Sequence, residues 1–236
     1  MVIDGTTSAP SNRLLEALSR PDRNGMLRRC EVVNLAFAEV LFNPGDRIKH
    51  VYFPLTSVVS LIASLDSRPR LEVALVGSEG MIGTSLMFGP ALAPFHAVVQ
   101  GTGTALRMPA TLFTSEIERG ASLRRGLGRY VEVLLNQLAL MAVCVRFHTV
   151  EERLARWLLI SHDRAMVDDL RFTQAFLGYM LGVRREGVSE AGGALQKRGL
   201  IRYSRGAITI LDQRGLEKTS CTCYEAAKKM YADILS

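Results

Sequence analysis

The chain of 236 residues contains no uninterrupted run of about 18 apolar side chains, so no membrane span is expected. It has four cysteines, Cys30, Cys144, Cys221 and Cys223, too few and too scattered for a disulfide framework, which fits a reducing compartment. The opening stretch DGTTSAPSN lacks a basic-then-apolar leader, and a cytoplasmic location is expected. No G-x-S-x-G elbow, P-loop or H-E-x-x-H pair occurs, so no enzymatic constellation is supported. The paired carboxylates Glu151-Glu152 and Asp168-Asp169 are adjacent in sequence, so on a helix they diverge and are expected to be solvated. Cys221-Thr-Cys223 has no neighbour in sequence to complete a tetrahedral set and reads as helical surface cysteines. His50, His96, His148 and His162 have no spacing that marks a haem ligand, and His148 with Glu151 reads as a helix start. No metal and no cofactor are expected.

What the chain does contain is a helix-turn-helix pattern starting at Gln174, QAFLGYMLGVRREGVSEAGG. Apolar side chains at Leu177, Leu181, Val183, Val188 and Ala191 fill the wedge between two short crossing helices. Gly178 permits their close approach and Gly182 the positive φ of the turn. The second helix would present Arg184, Arg185, Glu186, Ser189 and Glu190 outward, a donor and acceptor set suited to base edges in a major groove. The formal net charge is +6. Between Arg171 and Arg205 seven basic residues stand against two acidic ones, which makes this the most basic part of the chain and suits a phosphate-facing surface.

The rest of the chain divides around this motif. From about Cys30 to Met108, short β-branched runs alternate with Pro, Gly and Asp breaks, as in a β-sandwich or roll. From Ala110 the pattern is helical. Leu127, Val131, Leu134, Leu138, Met141 and Val145 form a heptad seam, read as a dimerisation helix over about 122–146. Val133, Leu135, Leu140 and Ala142 lie off the seam, so two faces should be covered, one by the chain itself and one by a partner copy. A helix from Val150 to about Arg164 follows, with a hinge at Arg146 to Thr149. Leu200–Tyr203 and Ala207–Leu211 read as a two-stranded wing, and one last helix as running from about Gly215 to the end. The predicted fold class is α+β, with a sensor region and long helix over 1–147 and a winged helix-turn-helix over 148–236.

This arrangement, carried by PGDRIKHVYFP, TVEERLARWLL and LGYMLGVRREGVSEAGGALQKRGLIRY, resembles the Crp/Fnr family of transcription regulators. The resemblance implies a cyclic-nucleotide-binding-like N-terminal roll and a homodimer on a palindromic site in double-stranded DNA, with RNA polymerase as a further partner. It makes Arg185 the guanine reader and Glu186 the acceptor from cytosine N4. Glu190 departs from the family's second arginine and Arg184 from its capping hydroxyl. Ser189 and Glu190 would modulate base reading, while Thr173, Gln174, Arg184, Arg202 and Arg205 are candidate phosphate contacts. The effector pocket maps to Gly83, Thr84, Ser85, Phe95 and His96. There the family's Gly-Glu and Arg-Ser pairs are missing, so cAMP is not the expected signal and the effector is unassigned. Only Cys30 lies in the first half, which speaks against an N-terminal iron–sulfur centre. The competing reading is a ligand-binding or interaction module whose winged helix has lost DNA.

Overall fold

The computed structural model describes residues 10–64, 70–89, 91–165, 169–204 and 206–235. Two short helices, α1 (Arg13–Glu16) and α2 (Arg20–Leu27), precede the first strands, capped by the side chains of Asn12 and Ser19. Strands β1 (Glu31–Leu35), β2 (Val40–Phe42), β3 (His50–Pro54), β4 (Val58–Ser64), β5 (Arg70–Val76), β6 (His96–Gly101) and β7 (Gly103–Pro109) follow, with a 3-10 turn at Thr84–Phe88. They form two antiparallel sheets in the orders β1-β7-β3 and β2-β6-β4-β5. Between the sheets and the helices lies a core that includes Met26, Phe53, Met81, Met108 and Phe113. This is the expected roll.

Helix α3 (Ala110–Arg119) leads through Gly120 into α4 (Ala121–Phe147), 27 residues long. One side of α4, with Leu123, Leu127, Tyr130 and Val133, is buried. By length and composition α4 is also apolar enough to cross a membrane, although charged residues interrupt its apolar run. The helix carries Glu132 and Arg146 within its apolar part and packs on β5 and on the C-terminal helix, so protein already covers two of its sides.

Helix α5 (Val150–Ala165) starts after the expected break at His148, whose backbone is extended. Its start is a reciprocal capping box between Thr149 and Glu152, with Thr149 N donating to Glu152 Oε2 at 2.7 Å. The expected helix start at His148–Glu151 is realised, with Glu151 in the first turn of α5, where it also pairs with Arg198 at 2.9 Å. Leu154, Trp157, Leu158 and Ser161 are all buried on one side, as their spacing implies.

Strand β8 (Asp169–Arg171), helices α6 (Gln174–Leu181) and α7 (Arg185–Lys197), and strands β9 (Ile201–Ser204) and β10 (Ala207–Ile210) complete the basic segment. The wing is a three-stranded sheet in the order β8-β10-β9 and not a lone hairpin. β8 has only three residues, too few to show a period. The expected single terminal helix is two, α8 (Gln213–Thr219) and α9 (Cys223–Leu235), broken at Ser220 where the chain turns extended.

Candidate nucleic-acid interface

Thr173 caps α6, its hydroxyl accepting from Phe176 N at 3.1 Å. Gly182 ends α6 with φ of 64°, the left-handed turn that glycine adopts without steric cost. A Cβ on Gly178 would meet the Val183 carbonyl oxygen at 2.9 Å, so only glycine lets the two helices cross this closely. Leu177, Leu181, Val188 and Ala191 are buried in the wedge between them, with Val183 half-buried beside it. The Arg184 side chain makes no capping bond to α7, in keeping with its departure from a capping hydroxyl.

Arg184, Arg185, Glu186, Ser189 and Glu190 are all exposed along the first turns of α7. Among the described residues, Arg184, Glu186, Ser189 and Glu190 have no side-chain hydrogen-bond or ion-pair partner within the chain. Arg185 is steadied from α6, its Nε donating to Gln174 Oε1 at 3.2 Å. Thr173, Gln174, Arg185 and Ser189 line one open concavity of about 560 Å³, closed at the back by Tyr203 and Gly206. Tyr203 fixes the wing against α7 and the segment leading into α6. Its hydroxyl donates to Phe172 O at 3.1 Å, and its amide donates to Gln196 Oε1 at 2.6 Å. Burial lifts the Tyr203 phenol above its ordinary value, and the nearby Arg185 guanidinium partly offsets this. Arg202 is exposed on β9, outside the concavity, and Arg205 lies outside the described residues.

A helix with free donors and acceptors at its tip, flanked by a wing, is the shape read from the sequence. Residues 152–219 match the family model of the Crp-like helix-turn-helix domain. No curated protein sequence matches this chain. Among solved structures, a Eubacterium rectale protein described as a Crp/Fnr transcriptional regulator is 15% identical, with a TM-score of 0.71 over 87% of this chain and 96% of that one. FixK2 from Bradyrhizobium japonicum gives 16%, 0.68, 82% and 98%. The Crp/Fnr-family regulator TTHA1359 from Thermus thermophilus gives 22%, 0.68, 80% and 98%. Over 80–87% of the chain the fold is similar to that of these Crp/Fnr-type structures, with the Crp-like match at its C-terminal end.

The effector-pocket residues divide. Gly83, Thr84, Ser85 and Phe95 line a cavity of about 140 Å³ between the roll and α4, together with Val131, Leu134 and Leu138 of the heptad seam. His96 points elsewhere, its ring bonding Ser64 at 3.1 Å and Asn43 at 3.3 Å. Phe95 lies in the bend before β6 whereas His96 opens the strand, and their side chains part there. Burial and then Arg70 hold the His96 imidazole below its ordinary value.

The proposed dimer seam is also redistributed. Leu127 is 0% exposed, filled in by the chain's own core, and cannot meet a partner. Met141 is half-buried against Arg156, while Val145 is exposed. The row left open on α4 is Leu135 (62% exposed), Ala139, Ala142, Val143 and Phe147 (71% exposed). A 3.5-residue period reports that a face is covered but not by what, so the seam read from sequence mixes both faces.

The two C-terminal cysteines stand furthest from expectation. Cys221 and Cys223 are buried, not on a helical surface, and they meet Cys144 and His148 from the end of α4. Nothing local in the sequence joins these two pairs; only the return of α9 along α4 does.

Proposed function

We propose that the protein is a DNA-binding transcription regulator that grips a palindromic site as a homodimer. The observation that carries this reading is the exposed tip of α7, where Arg185, held by Gln174, faces the same open concavity as Thr173 and Ser189. In this reading Arg185 reads guanine by two parallel donors, Glu186 accepts from cytosine, and Ser189 and Glu190 tune the preference. Thr173, Gln174, Arg184, Arg202 and Arg205 contact phosphates. The sensor and DNA-binding halves meet at 147/148. The dimer forms through α4 by the open row from Leu135 to Phe147, since an apolar row of that length is a natural two-fold contact. RNA polymerase is a further partner, the location is cytoplasmic, and the chain is no enzyme.

The test uses the full chain. Genomic fragments retained by the purified protein define the site, and affinity is then measured by anisotropy against that site and a random duplex. Arg185→Ala is expected to cost about 1–3 kcal/mol on the selected site and relax its sequence preference. Equal loss on both duplexes would place Arg185 on the backbone, and absence of binding to either at low salt would remove the reading.

Among the described residues, no charged side chain lines the cavity at the roll. A cyclic phosphate there would be desolvated with no cation to compensate it. Neither cAMP nor cGMP is therefore the signal, and calorimetry is expected to show no submillimolar binding of either; a saturating titration in that range would refute this.

A further inference from the structure

We propose that Cys144, His148, Cys221 and Cys223 form a tetrahedral zinc site that staples the end of α4 to the start of α9. The four ligand atoms lie within 4.8 Å of one another. Cys144 Sγ and Cys221 Sγ are 3.5 Å apart, and Cys223 Sγ and His148 Nδ1 are 3.6 Å apart. A tetrahedral zinc with Zn–S of about 2.3 Å and Zn–N of about 2.0–2.1 Å requires edges of about 3.8 Å between sulfurs and about 3.5 Å from sulfur to nitrogen. Both observed edges sit within a few tenths of an ångström of those values. They are also far from the sulfur–sulfur bond of about 2.05 Å in a disulfide.

The local geometry supplies ligands in two pairs. Cys144 and His148 are one helical turn apart at the end of α4, where the His148 amide donates to the Cys144 carbonyl at 3.2 Å. Cys221 follows the break at Ser220 and Cys223 is the first residue of α9. The three thiols are buried and His148 is half-buried, so all four positions are supplied by protein and none is left for substrate. That is the pattern of a structural site. Three thiolates and a neutral imidazole are a soft sulfur-rich set that selects zinc over hard cations.

Charge supports the same conclusion. Zinc with three thiolates and one imidazole carries one net negative charge, each thiol releasing its proton to solvent on binding. Arg153 and Arg156 of α5 are both buried, which is costly for guanidinium groups without a counter-charge. Among the described residues neither Nε has a hydrogen-bond partner. The other bonds of these side chains go to neutral acceptors, the Leu181 carbonyl and the Met141 sulfur. Arg153 lies within electrostatic range of Cys144 and Cys221, and Arg156 of all three cysteines. An anionic metal–thiolate centre gives Arg153 a counter-charge and Arg156 a second one beside Glu72.

The full-length protein, purified under reducing conditions without chelator, is expected to carry about one zinc per chain by elemental analysis. Exchange into Co²⁺ is expected to give the intense thiolate-to-metal absorption of a tetrahedral sulfur-rich site. Cys144→Ser and Cys223→Ser should each lose the metal. Should either fail to fold, His148→Cys keeps the ligand count and should retain zinc, with a Co²⁺ spectrum shifted toward a four-sulfur site. Wild-type protein with four titratable thiols that takes up neither zinc nor Co²⁺ would overturn the proposal, as would a Cys144–Cys221 disulfide in metal-free protein. Metal content is read without a duplex, so this result stands apart from whether the chain binds DNA.

Discussion

Replacing Glu79 by alanine is expected to lower the unfolding free energy by about 3–5 kcal/mol, because it leaves the Arg164 guanidinium buried without a counter-charge. Glu79 Oε1 accepts from Arg164 Nε at 2.7 Å and from the Gly77 amide at 3.1 Å. Burial alone would raise the Glu79 carboxyl, but Arg164 more than reverses this and holds it below its ordinary value. The pair therefore contributes stability that is present above the unfolded carboxyl range and is lost as pH falls through the lower folded value. Arg164 Nη2 also donates to the Tyr231 hydroxyl, which accepts from Gln137, so one cation joins the segment after β5 to α4, α5 and α9. Urea denaturation at neutral pH measures the effect. A loss under about 1 kcal/mol would mean that solvent reaches the pair. Replacing both partners by apolar residues of similar volume should recover much of the loss.

Glu72→Gln is expected to act in the opposite direction, stabilising the protein by roughly 3 kcal/mol above neutral pH. Burial raises the Glu72 carboxyl to about 7, against the opposing hydrogen bonds of Ser60 and Trp157 and the fields of Arg156 and Arg164. Ser60 Oγ lies 2.7 Å from Glu72 Oε2 and 2.5 Å from Gln100 Oε1, yet a hydroxyl has one proton. A protonated Glu72 resolves the conflict by donating to Ser60, which then donates to Gln100, whose amide donates to Ser161 on α5 at 3.1 Å. Trp157 Nε1 still donates to Glu72 Oε1 at 2.8 Å. The folded pKa is raised, so stability is greatest below about 4.5 and falls as pH rises toward about 7, where the full cost is reached. Glutamine can make the same donations without ionising. Denaturation of wild type and variant from about pH 5 to about pH 8 should give curves that diverge as pH rises; parallel curves would show that Glu72 ionises in both states alike.

Most of the fold was legible because its signals are local. The αL turn at Gly182, the close crossing at Gly178 and the buried wedge of Leu177, Leu181, Val188 and Ala191 are fixed within about twenty residues, and the structure realises them. What escaped depends on contacts between distant segments. Cys144 and Cys221 are 77 positions apart, and no spacing rule spans that distance. Leu127 and Leu135 belong to the same apolar helix, but only the packed roll decides that one is covered and the other open. At the tip of α7, Arg185 was legible as an exposed donor, whereas its tether to Gln174 and the Tyr203 strut behind it arise from the packing of α6, α7 and the wing.

Strand β5 sends consecutive side chains to different correspondents. Leu71 touches the turn at Gly182, Glu72 bonds Trp157 of α5, and Val73 and Ala74 line the cavity against α4. A paired strand is stiff along its length, since each residue is bonded to its neighbours in the ladder. The cavity wall at Val73 and the support of the Gly182 turn at Leu71 are thus two residues apart on one strand, about 7 Å of backbone.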